Sequence, residues 1–267
     1  IGAVFVMLLI AATGLSANFL SKNDQLLARL NQRIGQIGGV GEYVFGNPIK
    51  VEDEAPQIFK LPANARLTFA SFNGDIEIRG AATTQATAKL TKFVRANDEN
   101  RARELAKQIH LQINATGNMV QFGVSAEGLN ETYSTSLLLE VPHQQTANVE
   151  INEATGAIKL TDLRGEHQLR NCGRINSTRL TGRLAIETTR GPVEIEQHVG
   201  DLALNNLRQG ADLREIKGKL VLQGQGGAYR IRQHTGPVHA SIANGRLELR
   251  EILAPTGFPA NERLVTL

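Results

Sequence analysis

The sequence has no tryptophan, one cysteine, two methionines and three tyrosines among 267 residues. Nine phenylalanines complete the aromatics, so a core of large rings is excluded and one of Leu, Ile and Val is expected. The lone Cys172 excludes an intramolecular disulfide and a cysteine metal knot, and is expected as a small buried residue. Charge of one sign is also lacking. The chain carries 29 basic and 26 acidic residues mixed along its length, a pattern that argues against nucleic-acid binding. No Gly-x-Ser-x-Gly elbow occurs. The run Gly224-Gln225-Gly226-Gly227 lacks the Gly-Lys-Ser/Thr of a phosphate loop and reads as a tight corner. His198 and His234 sit in matching phrases, Gln-His-Val-Gly and Gln-His-Thr-Gly. Two coils of a repeat would hold them about 10 Å apart, too far to share a zinc ion. The expectation is therefore a protein with no catalytic residues, cofactor or metal, no nucleic-acid partner and no small-molecule substrate.

The first twenty residues lack any charge. At 1.5 Å per residue they span about 30 Å, so 1–20 is expected as a transmembrane helix with Val4, Phe5, Val6, Met7, Leu8, Leu9 and Ile10 embedded in lipid. A secretory signal peptide is the competing reading, with Gly14, Ser16 and Ala17 near a cleavage site. Leu26, Leu27, Leu30, Ile34 and Ile37 then recur at helical spacing, which predicts an amphipathic helix over 21–41. It either lies along the headgroups or packs on the domain that follows. Residues 42–56, with Pro48, Glu52, Asp53 and Glu54, read as a linker.

From Gln57 onward strand signals dominate. Alternating segments flank the turn pair Asn73-Gly74, and further strands are expected at Thr87–Val94, Leu111–Asn114, Val120–Val124 and Ser136–Val141. A single helix is expected over Asp98–His110, capped by Asp98, with Leu105 and Ile109 facing inward. Then glycines fall at 156, 165, 173, 182, 191, 200, 210, 218, 227, 236 and 245, eight to ten residues apart. Most are followed by two apolar residues at alternate positions: Ile158/Leu160, Leu184/Ile186, Val193/Ile195, Leu202/Leu204, Leu220/Leu222, Tyr229/Ile231 and Leu247/Leu249. Such pairs share one face of a strand. A third apolar residue often follows three or four later, read as Leu163, Val199, Leu207 and Ile252. One unit is too short to bury its own apolar face, so units must stack. The architecture expected is a mainly β, β-solenoid domain over 57–267, two units making a coil of about eighteen residues, with 253–267 as a C-terminal cap or tail. An antiparallel sandwich is the alternative. Within 156–252 there are 15 basic and 10 acidic residues, an excess read either as a solvated face or as contact with anionic headgroups or an acidic partner.

The Asn73-Gly-Asp-Ile-Glu-Ile start, the Glu/Arg/Ala-rich helix, the Leu138-Leu-Glu-Val-Pro-His strand and the ladder beginning Ala154-Thr-Gly-Ala-Ile-Lys-Leu resemble, in that order, the bacterial putative-adhesin or toast-rack family. The resemblance runs from about Gln57 to Gly245. It implies a β-solenoid behind an N-terminal membrane segment, and no catalytic residues. The expectation is a structural or accessory subunit in the cytoplasmic membrane. Its β domain would be periplasmic, stabilising a larger assembly through contacts with membrane or envelope proteins. An envelope-stress sensor and a surface adhesin are the alternatives.

Overall fold

The computed structural model describes residues 48–52, 55–129, 132–259 and 262–267. The segments expected as a membrane anchor, with Val4 to Ile10, and as an amphipathic helix lie outside these residues. Among the described residues no helix is long and apolar enough to cross a membrane.

The N-terminal part holds β1 (Pro48–Glu52), β2 (Gln57–Phe59), β3 (Ala65–Phe69), β4 (Gly74–Ala81) and β5 (Ala86–Arg95). Helix α1 (Glu99–Ala106) follows, then β6 (His110–Thr116), β7 (Met119–Ser125) and β8 (Tyr133–Pro142). Strand β1 falls inside the stretch read as a linker. It is an edge strand antiparallel to β5, and its proline stands first, where no ladder donor is needed. The helix is shorter than its sequence pattern suggests. The Asp98 carboxylate accepts from the Arg101 N–H at 2.8 Å and starts it, Ala102, Leu105 and Ala106 are its buried face, and His110 already belongs to β6. Ile109, beyond the last helical turn, is fully buried.

The repeat supplies β9 (Ala147–Ile151), β10 (Ile158–Thr161), β11 (His167–Cys172), β12 (Ile175–Thr181), β13 (Leu184–Thr189) and β14 (Val193–Val199). It continues with β15 (Leu202–Leu207), β16 (Gly210–Lys217), β17 (Leu220–Gln225), β18 (Ala228–Thr235), β19 (Val238–Ala243), β20 (Arg246–Leu253) and β21 (Val265–Thr266). Even-numbered strands from β10 to β20 stack in parallel on one sheet, sheet A, and odd-numbered strands from β9 to β21 on the other, sheet B. Ile175 pairs with Val193, Val193 with Ala211 and Ala211 with Tyr229, so one coil takes eighteen residues. This is a β-solenoid, not a sandwich of antiparallel strands. It starts earlier than the glycine ladder. Ile76 of β4 pairs in parallel with Ile158, and Leu67 of β3 with Val149. Beyond β4 and β3 the sheets pass through β8 and β7, still parallel, to the antiparallel β5, edged by β1, and to β6. At the other end the tail returns as β21 beside β19, with Val238 N–H donating to Leu264 O at 2.8 Å.

Two backbone devices make the coil. Gly200, Gly218 and Gly236 have φ of +136°, +139° and +140°, and a Cβ on any of them would lie 2.0–2.2 Å from the carbonyl oxygen of the glycine one coil below. No other residue fits that column. The second device lies within the strands. Asp162, Arg179, Gln197, Glu215, Gln233 and Glu251 along sheet A, and Asn171, Thr188 and Asn206 along sheet B, all have φ between 47° and 60°. A single left-handed residue breaks the two-residue alternation, so the residue directly after it faces inward. The third inward position is therefore Leu163, Cys172, Leu180, Thr189, His198, Leu207, Ile216 and His234, all buried. Val199, read as the third apolar residue of its unit, is 48% exposed, because Gln197 turns the chain one residue early and delivers His198 instead.

The core is continuous from cap to tail. Its phenylalanines gather at the N-terminal end, where Phe69 stacks on Phe122 at 4.9 Å and Phe59 and Phe72 lean on the pair, while Tyr229 is buried among the later coils. Of the residues read as solenoid core, Ile158, Leu160, Leu184, Ile186, Val193, Ile195, Leu202, Leu204, Leu220, Leu222 and Ile231 are buried. Leu247 and Leu249 of the last coil are partly covered, since β20 has no strand beyond it among the described residues.

Candidate functional site

Alternation along each strand leaves two outward rows per sheet. On sheet A the first row runs in register Glu77, Lys159, Asn176, Glu194, Asp212, Arg230, Glu248. The second runs Arg79, Thr161, Thr178, Glu196, Arg214, Arg232, Arg250. Most ionic groups pair sideways across coils. Lys159 reaches Glu77 at 3.0 Å, and Arg232 holds both oxygens of Asp212 at 2.7 and 2.8 Å. Arg79 grips Glu140 at 2.6 Å, with Thr87 donating to the other oxygen, and this holds the Glu140 carboxyl below the usual carboxylate range. Arg179 does the same to Asp162.

Two open hollows lie over these rows. One, of about 410 Å³, lies between Lys159 and Arg214 and is bordered by Glu194, Glu196 and Asp212. The other, of about 370 Å³, is lined by Asp212, Arg214, Arg230, Arg232, Glu248 and Arg250.

The matching rows of sheet B differ. One runs Gln168, Ala185, Ala203, Val221, His239, and its neighbour includes Glu187 and Asn205. On this face Arg170 is tied to Glu187 at 3.0 Å and Asn152 at 3.3 Å. The result is a flat strip of small and neutral residues.

No protein-family model matches the chain, and no curated protein matches it. Similar solved structures exist. A "putative cell adhesion protein" from Clostridium sporogenes is 10% identical, with 75% of this chain and 99% of that one covered and a TM-score of 0.37. A "putative adhesin" from Parabacteroides distasonis is 10% identical over 78% and 98%, with a TM-score of 0.29. One from Bacteroides fragilis is 11% identical over 75% and 96%, also at 0.29. The likeness is to proteins named as adhesins. The architecture rests on the strand register itself.

Inside the solenoid the unexpected groups are His167, His198 and His234. They are 2%, 0% and 0% exposed, and neither ring nitrogen of any of them has a hydrogen-bond partner. Burial, and then the charge of His198, pushes the His167 imidazole down to about 4. Burial also lowers His198 and His234. Backbone groups of Asp201 and Gly200 oppose the shift at His198, and those of Pro237 and Gly236 at His234, without reaching hydrogen-bond geometry. His198 and His234 share one column, with Ile216 between them in register. Ile216 separates them as the repeat spacing implies, but they lie inside the core and not on an outer face. Among the described residues no group of three or more His, Cys, Asp or Glu could hold a metal ion. Cys172 is fully buried, its S–H donates to Arg170 O at 3.1 Å, and burial lifts its pKa to about 12, which leaves it an inert thiol at neutral pH.

Proposed function

We propose that this chain is a non-catalytic, single-pass membrane protein whose solenoid is an accessory subunit, holding envelope proteins in a larger membrane assembly by surface contact. The observation that carries the reading is the pair of long outer faces on one continuous core. Each face repeats the same two outward positions every coil, which suits an extended contact better than a single substrate. The smooth strip at Ala185, Ala203 and Val221 favours protein contact, because small side chains lose little entropy when covered. The charge-free run at 1–20 supports the anchor, and the family resemblance supports a place in the cytoplasmic membrane with the β domain on the periplasmic side.

The test is isolation of the native chain from detergent-solubilised membranes, followed by mass spectrometry. A partner recovered in stoichiometric amount is the expected result. A chain recovered alone points to a sensor, and labelling from the outermost cell surface points to an adhesin. Recovery of the whole chain in the soluble fraction would remove the anchored reading.

A further inference from the structure

In the second outward row of sheet A, Arg214 faces Arg232, and Arg232 faces Arg250. Neighbouring strands lie about 4.8 Å apart, so three guanidinium-bearing residues stand in register over roughly 10 Å. Like charges placed directly opposite one another are destabilising. Arg230 in the adjacent row adds a fourth, and all four line the 370 Å³ hollow. Among the described residues two carboxylates, Asp212 and Glu248, border it.

Those carboxylates are already committed. Arg232 takes both oxygens of Asp212, and Arg250 takes Glu248 at 2.5 Å. That leaves Arg214 with its nearest carboxylate at 3.5 Å and Arg230 with its nearest at 3.9 Å, longer than a charge-assisted hydrogen bond. The Nε–H of Arg232 is buried with no partner. Four positive groups against two negative ones leave an excess of two, held over an open hollow with unspent donors. A phosphomonoester carries about −1.5 to −2 charge and three acceptor oxygens. All four cations are arginine, whose planar fork matches phosphate oxygens in pairs. The first hollow, bordered by Glu194 and Glu196, would repel such a group, so selectivity along the face follows from the sequence of coils.

We propose that the hollow over β16, β18 and β20 is a binding site for a phosphomonoester group, with Arg214 and Arg230 as its free ligands and Arg232 and Arg250 as its paired supports. The site is independent of whether the chain is anchored or has protein partners. The shared chemistry is the phosphate itself, and it can come from a soluble phosphate or from a lipid headgroup.

The experiment uses the full chain in neutral detergent and phosphate-free buffer. Inorganic phosphate is titrated calorimetrically against the wild type, Arg214→Gln, Arg230→Gln, Arg214→Lys and the remote control Lys219→Gln. Arg214→Gln and Arg230→Gln are each expected to weaken binding about tenfold or more, Arg214→Lys by less, and Lys219→Gln not at all. Without phosphate the two glutamine variants are expected to melt at or above the wild-type temperature, which shows that they fold. A second arm compares each variant with the wild type on vesicles of phosphatidylcholine with and without phosphatidic acid. Loss of the phosphatidic-acid preference in Arg214→Gln assigns the headgroup as a source. Loss of phosphate binding with vesicle preference intact assigns the soluble ligand. If neither arm responds to Arg214→Gln or Arg230→Gln, or if Lys219→Gln weakens binding equally, the proposal is overturned.

Discussion

The two outer faces of the solenoid are built from the same eighteen-residue coil and share one core, yet their chemistry differs. Sheet A carries Glu194, Glu196, Arg214, Arg230, Arg232 and Arg250 on neighbouring coils, while sheet B presents Ala185, Ala203 and Val221 at the corresponding outward positions. The inward positions of both sheets are mostly Leu, Ile and Val. The difference teaches that folding constrains only half of each strand. The remaining half is free to be ionic on one face and bare on the other without altering the backbone.

The largest expected effect tests the shared half. Leu204 of sheet B and Leu213 of sheet A are both fully buried, so Leu204→Ala and Leu213→Ala should each cost about 2–5 kcal/mol in denaturant unfolding. A loss on one sheet only would mean that the core is not held in common.

Acid stability comes next. Burial lowers the pKa of all three buried histidines in the fold, while in the unfolded chain they protonate near pH 6.5. Their folded pKa values are depressed, so below that pH the unfolded state binds more protons. Stability is whole above about pH 6.5 and declines as pH falls toward 4, where His167 also protonates in the fold. At pH 5 His167 alone should cost about 2 kcal/mol. His198→Leu places at that position the residue found at Leu180 and Leu207, and should narrow the gap between melting temperatures at pH 7.5 and pH 5. An unchanged gap would show that His198 does not contribute to the acid response.

A smaller effect separates the corners. Thr188 is β-branched and has φ of +60°, an uncomfortable conformation for such a residue. Thr188→Asn keeps an oxygen for the Asn206 amide, now 3.2 Å from the threonine hydroxyl, and should gain about 1 kcal/mol. A loss in thermal melting would mean that the threonine methyl contributes packing that asparagine cannot replace. Smallest of all on folding is Ala203→Lys on the bare strip, within about 0.5 kcal/mol. Its expected consequence is loss of the co-purifying partner. Retention of the partner would move the contact to another face.

Much of this could be read from the residues. The glycine column and the paired apolar positions were legible because stereochemistry and burial both act on them directly. The left-handed corner was not. Its residues include Arg179, Thr188, Gln197 and Glu215, none of which announces a positive φ, so the inward turn of His198 was assigned to Val199. The arginine column was hidden for a different reason. Arg214, Arg232 and Arg250 recur at the coil length, and a net excess of basic residues over the whole ladder averages the two sheets together. Pairing of β4 with β10 across 82 residues carries no local signal, which is why the glycine ladder alone does not reveal that β4 continues the stack.

That same pairing sets an order of assembly. Neighbouring coils of the ladder meet after closing a loop of eighteen residues, as Gln197 does with Glu215. Joining β4 to β10 closes one of 82. The longer closure costs about 1.3 kcal/mol more in chain entropy before any contact is gained. Coils of the ladder therefore add to one another more readily than the ladder joins β4, which has its other neighbour β8 within residues 57–142. A ribosome delivers residues 57–142 early, but β4 finds its parallel neighbour β10 only after that strand has emerged.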